Sequence, residues 1–365
     1  MKLFICGDVC IKDLARPYFE KADAKGAFCD VLDIFKKADR VLVNLECAIT
    51  ESEKAIKKCG PNLKAPLKTA DTLKAAGVTD CMLSNNHTFD FGKEGFYDTV
   101  RELDRVGINH TGWGENYEDS RKNMMIEADG LKISIIDVCE HEYTYALENR
   151  VGTRPFDEFE TMHDIREAKK VSDKVIVIYH GAKENCHYPS PRLVKACHEM
   201  VECGADAIFG QHSHCIGIYE NYKGAHILYG QGNFHFVGYF DRANAEEWNE
   251  GFGVMLDVTR DGIEIDFEAV RGRENGSLTL ATPEEKEKIM TAFEKRNATM
   301  QDGTWRDGWL DFVKANEKNY MHSLCFDDGI SEKQYQRIAH YIDCEAHRDV
   351  VMEIFKTYNH TNELD

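Results

Sequence analysis

The sequence lacks the long apolar run that a membrane span requires. No stretch of its 365 residues approaches the roughly 20 consecutive apolar residues that cross a bilayer. It also lacks an excess of basic residues: the formal net charge is -19, which argues against nucleic-acid and anionic-membrane partners. The first predicted strand begins at Lys2 and leaves no room for a signal peptide, so we expect a cytoplasmic protein.

Cysteine pairs with C-x-x-C spacing are absent as well. The 13 cysteines are odd in number and include no C-x-x-C pair, and several, such as Cys6, Cys81 and Cys139, lie within predicted strands. In such positions cysteine usually acts as a small buried hydrophobic residue. The pattern indicates a reducing compartment rather than a disulfide framework.

Several common catalytic signatures are missing. The sequence contains no Gly-x-Ser-x-Gly elbow, no Gly-x-x-x-x-Gly-Lys phosphate-binding loop and no strand–Gly-x-Gly-x-x-Gly–helix unit. Internal repeats and low-complexity segments are also absent.

Strand and helix patterns alternate from the N-terminus to about residue 270 and predict βαβ units. Amphipathic helices are predicted over 31–38, 67–76 and 95–106. Two hairpins with Asp-Gly turns, at 129–130 and 261–262, interrupt the alternation. Long hairpins among βαβ units favour a second sheet packed against the first, with helices outside both.

Helical patterns dominate after a compositional break that ends at Gly276. Thr282 begins a capping box with proline at the first helical position, and Ser331 opens another helix. An aromatic stretch over 305–312 lies between them. We predict a main domain over 1–276 and a helical C-terminal extension over 277–365, packed on that domain or, alternatively, forming a lid over its site.

Polar residues of metal-binding type follow five short apolar strands. In an open α/β sheet, ligands collect outside the carboxyl ends of the strands. Carboxylate, amide and imidazole groups placed there form a cage suited to divalent transition metals. The segments are Gly7-Asp8, Asn44-Leu45-Glu46, Asn85-Asn86-His87, His180-Gly181 and Gly210-Gln211-His212-Ser213-His214.

Each of these residues has an ordinary alternative when taken alone. Asp8 could cap a helix, Glu46 could be an exposed charge at a strand end, and Asn86 could be a turn residue. A single His-x-His pair is often structural. Five such segments after five strands favour a metal centre.

These motifs are similar to those of the CapA-like capsule and poly-γ-glutamate synthesis family, within the calcineurin-like metallophosphoesterase superfamily. The resemblance covers about residues 2–236 and is most specific over 84–92, 180–189 and 204–234. It implies a four-layer α/β/β/α metallophosphoesterase-like sandwich. The last 90 or so residues match no pattern of that family.

The resemblance also implies two divalent transition metal ions, Mn, Fe or Zn. Asp8 and His214 are expected to bind one metal, and Glu46 to bridge to the other. The ligands of the second metal are expected to be Asn86, His180 and His212. Two ions about 3.5–4 Å apart turn a bridging water into hydroxide at neutral pH.

His87 and Asp90 are the predicted catalytic side chains. His87 follows the ligand Asn86 and is placed to protonate a leaving group as a general acid. Asp90 is expected to hold its imidazole in one tautomer.

Two departures from the superfamily pattern affect the metals. Asp8 is followed by Val9 and Cys10 instead of an Asp-x-His pair, so one metal is expected to be weakly held or absent. Cys10 is either a softer substitute ligand or a buried structural thiol. Glu46 replaces an aspartate, and its longer side chain can shift the metal separation.

Substrate contacts are assigned to Asn233, Arg192, Lys183 and His187, with the alternative that the charged ones are ordinary surface residues. Arg192 and Lys183, with Arg154, could supply a local positive patch for a phosphate or carboxylate. The partner is then an anionic substrate, either a small molecule or derived from a polymer.

The favoured function is metal-dependent hydrolysis of a phosphoester by a metal-bridged hydroxide, in capsule or cell-envelope polymer metabolism. One alternative is hydrolysis or transfer at an amide of a poly-γ-glutamate-like polymer. Another is a non-catalytic component of capsule assembly. His87 and Asp90 favour catalysis, but no residue decides between a phosphoester and an amide.

Overall fold

The computed structural model describes residues 1–325 and 329–359 of the chain. Its strands are β1 (Lys2–Val9), β2 (Arg40–Leu45), β3 (Ala48–Ile49), β4 (Lys64–Ala65), β5 (Asp80–Met82), β6 (Asn109–Thr111), β7 (Trp113–Gly114), β8 (Met124–Ala128), β9 (Leu131–Cys139), β10 (Gly152–Thr153), β11 (Lys174–His180), β12 (Ala207–Gln211), β13 (Tyr219–Tyr222), β14 (Ala225–Leu228), β15 (Asn233–His235), β16 (Glu250–Val258), β17 (Ile263–Gly272) and β18 (Leu278–Leu280). Its helices are α1 (Arg16–Glu20), α2 (Ala24–Phe28), α3 (Val31–Phe35), α4 (Thr69–Ala76), α5 (Gly92–Val106), α6 (Tyr117–Ser120), α7 (Glu160–Val171), α8 (Pro191–Glu202), α9 (Ala245–Trp248), α10 (Pro283–Asp302), α11 (Trp305–Leu324), α12 (Glu332–Asp343) and α13 (Glu345–Asn359).

Two large sheets form the centre of the molecule. The first has the strand order β18-β17-β16-β1-β2-β5-β6, with β15 also paired to β1. The second has the order β13-β14-β12-β11-β9-β8. Strands β1, β2, β5 and β6 run parallel in the first sheet, as do β9, β11, β12 and β14 in the second. Both predicted hairpins are confirmed, since β8 pairs antiparallel with β9 and β16 with β17.

Alternation along the central strands separates the layers. Leu3 and Ile5 of β1 belong to the apolar cluster between the two sheets, whereas Phe4 belongs to the cluster beneath the helices. In β11, Ile176 faces the other sheet and Val177 faces the helices on its own side. Successive side chains of a strand point to opposite faces of the sheet, so a strand that is buried on both faces contributes to both clusters. The predicted four-layer α/β/β/α sandwich is confirmed.

Helix ends follow from local signals. Gly77 and Gly107 end α4 and α5 in the left-handed conformation, with φ of 99° and 69°. Helix α5 begins three residues earlier than predicted, at Gly92. Helix α3 ends at Phe35, three residues before the predicted end at residue 38. The residues that follow form a tighter turn, in which the Ala38 N–H donates to Phe35 O, three residues back.

The cysteines predicted to be buried hydrophobic residues are buried and free. Cys6, Cys81 and Cys139 are at most 2 % exposed, and none forms a disulfide. No helix in the described ranges has the length and apolar content that a membrane crossing requires.

The C-terminal helices pack on the sandwich. Thr282 and Ser331 both form capping boxes, and the aromatic stretch over 305–312 is the first part of α11. Phe293 of α10 joins the cluster between the sheets, and Trp305 of α11 joins the cluster beneath α7 and α8. Strand β18 lies just beyond the predicted boundary at 276, which stays a prediction. Residues 326–328 and 360–365 of the predicted extension lie outside the described residues.

Candidate metal centre

The carboxyl ends of five strands meet where the two sheets face each other. Strands β1, β2 and β5 belong to the first sheet, and β11 and β12 to the second. The two sheets meet directly here, because Asn44 Nδ2 lies 3.0 Å from His180 Nδ1. All predicted ligands are brought together and are at most 5 % exposed: Asp8, Glu46, Asn86, His180, His212 and His214.

Asp8 is the next-to-last residue of β1 and does not cap a helix. Its carboxylate accepts hydrogen bonds from Asn44 Nδ2 at 2.7 Å and from the His212 backbone N–H at 3.1 Å. Its oxygens lie 3.6 Å from His180 Nδ1 and 3.5 Å from His214 Nδ1. Burial raises the pKa of Asp8, but these imidazoles and hydrogen bonds lower it overall, so the carboxylate is ionised.

Glu46 lies between two imidazoles. Its Oε1 is 3.5 Å from His180 Nε2 and 3.9 Å from His214 Nε2. Neither carboxylate oxygen has a hydrogen-bond partner among the described residues, although the side chain is fully buried. Such a carboxylate is costly unless a cation compensates it. The bridging role assigned to Glu46 stays a prediction.

The His-x-His loop holds an unusual backbone conformation. His212 and His214 have φ of 77° and 52°, a left-handed region that residues other than glycine seldom occupy. Their ring centroids lie 5.9 Å apart, and neither ring nitrogen of His212 has a hydrogen-bond partner in the described part of the chain. Ligand atoms of Glu46, His212 and His214 lie within 4.8 Å of one another.

Glu140 is a site residue that the sequence analysis missed. It directly follows β9, the neighbour of β11, and its N–H donates to His180 O at 2.9 Å. Both of its buried carboxylate oxygens lack hydrogen-bond partners within the described ranges. Ligand atoms of Glu140, His180 and His212 lie within 4.8 Å of one another. The signal available in the sequence is a carboxylate directly after a strand.

The charges of this cluster are strongly coupled. Burial raises the pKa of Glu140 well above its usual range. Burial lowers the pKa of His180, but the charges of Glu46 and Glu140 raise it overall. Buried carboxylates and imidazoles without hydrogen-bond partners, at this spacing, fit a divalent transition metal.

Cys10 is placed in the core. It is 1 % exposed and belongs to the apolar cluster beneath the helices, and burial raises its pKa well above the usual value. Among the described residues, the groups with metal-ligand spacing do not include it. The structure therefore supports the buried structural thiol.

His87 is held by two charged neighbours. Its Nδ1 lies 2.6 Å from Asp90 Oδ2 and 3.1 Å from Lys58 Nζ. Lys58, which carried no sequence motif, also forms an ion pair with Asp90 at 2.5 Å. Burial, and then the charge of Lys58, lower the pKa of His87 despite Asp90. Since Nδ1 is engaged by Asp90, Nε2 is the nitrogen left to face a substrate.

The predicted substrate residues are distributed differently. Asn233 lies at the centre, with its Oδ1 2.9 Å from His214 Nδ1. Lys183 is close enough to the centre for its charge to lower the pKa of His212, but it forms an ion pair with Glu184 at 3.2 Å. The remaining two have partners elsewhere: Arg192 binds Asp349 at 2.9 Å, and His187 Nδ1 lies 2.7 Å from Ile216 O.

Arg154, named above for a local positive patch, lies outside the centre, and so does His235. Arg154 is 2 % exposed and binds Asp164 at 2.7 Å. His235 is buried between Phe19 and Phe28, with ring-centroid distances of 5.2 and 5.0 Å.

Known proteins share the part of the chain that carries the metal centre. A family model described as bacterial capsule synthesis protein PGA_cap matches residues 2–237. The chain belongs to this family. Every predicted metal ligand, together with Glu140, lies within the PGA_cap match.

Curated relatives agree with the PGA_cap assignment. The chain is 30% identical over 240 residues to the PGA biosynthesis protein CapA of Bacillus subtilis (strain 168), covering 63% of this chain and 62% of that protein. It is 27% identical over 245 residues to the capsule biosynthesis protein CapA of Bacillus anthracis, covering 65% and 60%. The match thus spans about three fifths of the length of these relatives.

Solved structures similar to this PGA_cap member include a 5'-nucleotidase precursor from Thermus thermophilus. The sequence identity is 14%, the TM-score is 0.43, and the match covers 82% of this chain and 60% of that chain. A 5'-nucleotidase from Candida albicans gives 10% identity and a TM-score of 0.39, with 81% and 58% covered.

Proposed function

We propose that the protein is a metal-dependent hydrolase of phosphoesters. The observation that carries this proposal is one buried site that combines metal-ligand residues from both sheets with an imidazole held by a carboxylate. Two divalent ions, Mn, Fe or Zn, would polarise a phosphoryl oxygen and acidify water when bound. The residues that would hold them are Asp8, Glu46, Asn86, His180, His212 and His214, to which we add Glu140.

His87 acts as the proton donor to the leaving group. Asp90 accepts a hydrogen bond from Nδ1–H and fixes the ring, so proton transfer from Nε2 uses the imidazolium form, which the lowered pKa of His87 makes the minor form at neutral pH. Lys58 balances the charge of Asp90, which keeps this carboxylate from taking the proton of the ring. Asn233 contacts His214 and orients that ligand instead of touching the leaving group.

A second candidate function is hydrolysis or transfer at an amide of a poly-γ-glutamate-like polymer. The relatives whose printed names refer to PGA or capsule biosynthesis favour it. The same metal centre and His87 could serve a carbonyl carbon. A non-catalytic role in capsule assembly leaves the His87–Asp90–Lys58 arrangement without a purpose.

Turnover of aryl phosphates tests the proposal. Purified protein loaded with manganese, iron or zinc should hydrolyse phenyl phosphate, and His87→Ala should lower this rate by about 10²–10⁴-fold with its metal content unchanged. The loss should be smaller for 4-nitrophenyl phosphate, whose leaving group needs no proton. His163→Ala, an exposed histidine of α7, is the matched control and should behave as the parent protein.

Two results would contradict the assignment. Full activity of His87→Ala on phenyl phosphate would remove its role as proton donor. If the protein releases glutamate from γ-glutamyl oligomers and leaves both aryl phosphates intact, the assigned substrate class would be the amide and not the phosphoester.

A further inference from the structure

Helices α12 and α13 lie against the loops that carry the metal centre. Glu345 of α13 accepts a hydrogen bond from the His141 backbone N–H at 2.9 Å, in the loop after β9. Asp349 binds Arg192 at the start of α8, beyond the loop that follows β11. Both helices lie beyond residue 237, where the family match ends. The two helices thus lie outside the PGA_cap match and contact the loops next to its candidate metal centre.

His340, near the end of α12, is 8 % exposed and is close to the metal ligands. Its ring stacks on Tyr143 with a centroid distance of 5.1 Å, and its Nε2 lies 3.7 Å from Glu142 Oε1. Asn86 donates a hydrogen bond to Glu142 at 2.9 Å, and Glu142 lies 3.8 Å from His212 Nε2. A single carboxylate therefore separates His340 from two predicted metal ligands.

One nitrogen of His340 lacks a partner. Its Nδ1 is buried and makes no hydrogen bond within residues 1–325 and 329–359. Buried polar atoms in native proteins are almost always paired, so this nitrogen keeps a hydrogen-bonding capacity that no described residue uses.

His347 of α13 extends the same surface. Its ring centroid lies 4.4 Å from that of His340, and the Tyr320 hydroxyl lies 2.7 Å from its Nδ1. Donation from that hydroxyl leaves Nε2 protonated, 4.0 Å from Glu184 Oε2. Burial, and then the charge of Lys183, lower the pKa of both histidines, so each offers an uncharged N–H donor at neutral pH.

Two buried ammonium groups complete the surroundings. Lys183 is paired with Glu184, and Lys58 with Asp90. Both lysines lower the pKa of His340, so both act on the same small region. Each ammonium group is balanced by its own carboxylate, so the hydrogen-bond donors left for a phosphoryl oxygen here are the two imidazoles.

We propose that His340 and His347 form a substrate-contacting wall of the metal centre and donate hydrogen bonds to phosphoryl oxygens of the substrate. The proposal rests on the proposed phosphoester function. It assigns to the C-terminal extension a part in selecting the substrate, in addition to packing.

Phosphate binding tests this wall separately from turnover. The Kd of inorganic phosphate is measured by calorimetry on the full-length, manganese-loaded protein and on His340→Ala, His340→Gln and His347→Ala. We expect each alanine variant to bind phosphate about 10-fold more weakly, as expected for the loss of one hydrogen bond to a charged group. His340→Gln, which retains an N–H donor, should recover part of the affinity. His322→Ala, exposed on α11, is the control.

Metal content and melting temperature are measured on the same samples. Parent-like phosphate affinity in both alanine variants, at unchanged metal content, would overturn the proposal even if aryl phosphates are hydrolysed. If His340→Ala misfolds, the comparison rests on His340→Gln and His347→Ala, and equal affinities there would overturn it as well. A parent protein that hydrolyses aryl phosphates but does not bind phosphate would also refute the wall and leave the hydrolase assignment standing.

Discussion

At the scale of single residues, Glu140 shows what the buried centre requires. Its carboxylate is fully buried and neither oxygen accepts a hydrogen bond in the described part of the chain. Removing such a charge from water without a partner costs several kcal/mol. A bound divalent cation offsets that cost, which makes Glu140 a metal ligand in our proposal.

Replacing Glu140 by glutamine should separate metal binding from folding. The substitution keeps the volume and removes the charge, so we expect divalent metal affinity to fall by about 10-fold or more, with metal-free stability unchanged or higher. Metal-buffered titration followed by elemental analysis, and melting of the chelated protein, measure the two effects. Glu127→Gln, at an exposed position of β8, should change neither. Parent-like metal affinity in Glu140→Gln would rule out this ligand.

The sequence predicted those site residues that carry their own local signal. Asp8 lies at the carboxyl end of β1 and His180 ends β11, and a polar residue at that end of a buried strand is a local signal of a ligand site. Lys58 has no such signal, because it lies in an irregular segment and reaches Asp90 only through the tertiary fold. The sequence analysis assigns Arg192 to substrate contact. In the structure its guanidinium donates to Asp349 of α13, which is 157 residues away in the sequence, and no local pattern indicates that contact.

At the scale of elements, helix α11 depends on its packing. Gly308 interrupts the aromatic stretch and lowers its helix propensity. Trp309 is 1 % exposed and packs with Val313 and Tyr320, and with Cys186 from the loop after β11. The missing side chain of Gly308 leaves room for the ring of Tyr188. The sequence showed the aromatic residues, but it could not show what they pack against.

Trp309→Ala should destabilise the protein strongly. Truncating a buried tryptophan costs about 3–5 kcal/mol through lost burial and the cavity left behind. Thermal and urea unfolding measure the loss. Leu310→Ala, one residue along and 46% exposed, should change stability by no more than about 0.5 kcal/mol. Equal stability of the two variants would mean that α11 does not depend on this contact.

At the scale of the whole molecule, the buried His235 makes stability depend on pH. Burial among aromatic rings lowers its pKa from 6.5 to about 4 in the folded protein. Between these values the unfolded chain binds the proton and the folded protein does not. Acid therefore favours unfolding as pH falls from about 6.5 to about 4.

His235→Phe should reduce that dependence. Between about pH 7 and about pH 5 the parent should lose about 2 kcal/mol more stability than the variant, since each pKa unit corresponds to about 1.4 kcal/mol. Urea unfolding in the presence of a chelator measures this, so that metal release does not contribute. Parallel pH profiles for the two proteins would contradict the assignment.

The layer architecture was predictable because the alternation of strand and helix patterns and the two Asp-Gly hairpins are local signals, and the family resemblance implies the same four layers. The pairing of the two sheets at the metal centre is not local: the Asp8 carboxylate accepts the N–H of His212, 204 residues away. Strand-end placement and the family resemblance predict that the two segments converge, but no local pattern in either segment specifies this backbone contact.

The same separation has a consequence for biosynthesis. A chain still on the ribosome holds Asp8, Glu46 and Asn86 long before His180 and His212 have been made. Until then it can offer a cation oxygen ligands only from this set, and these favour magnesium or calcium over zinc. The imidazoles arrive with the second sheet. If the centre binds transition metals as proposed, the ligand set that would select among them is therefore complete only after that sheet has formed.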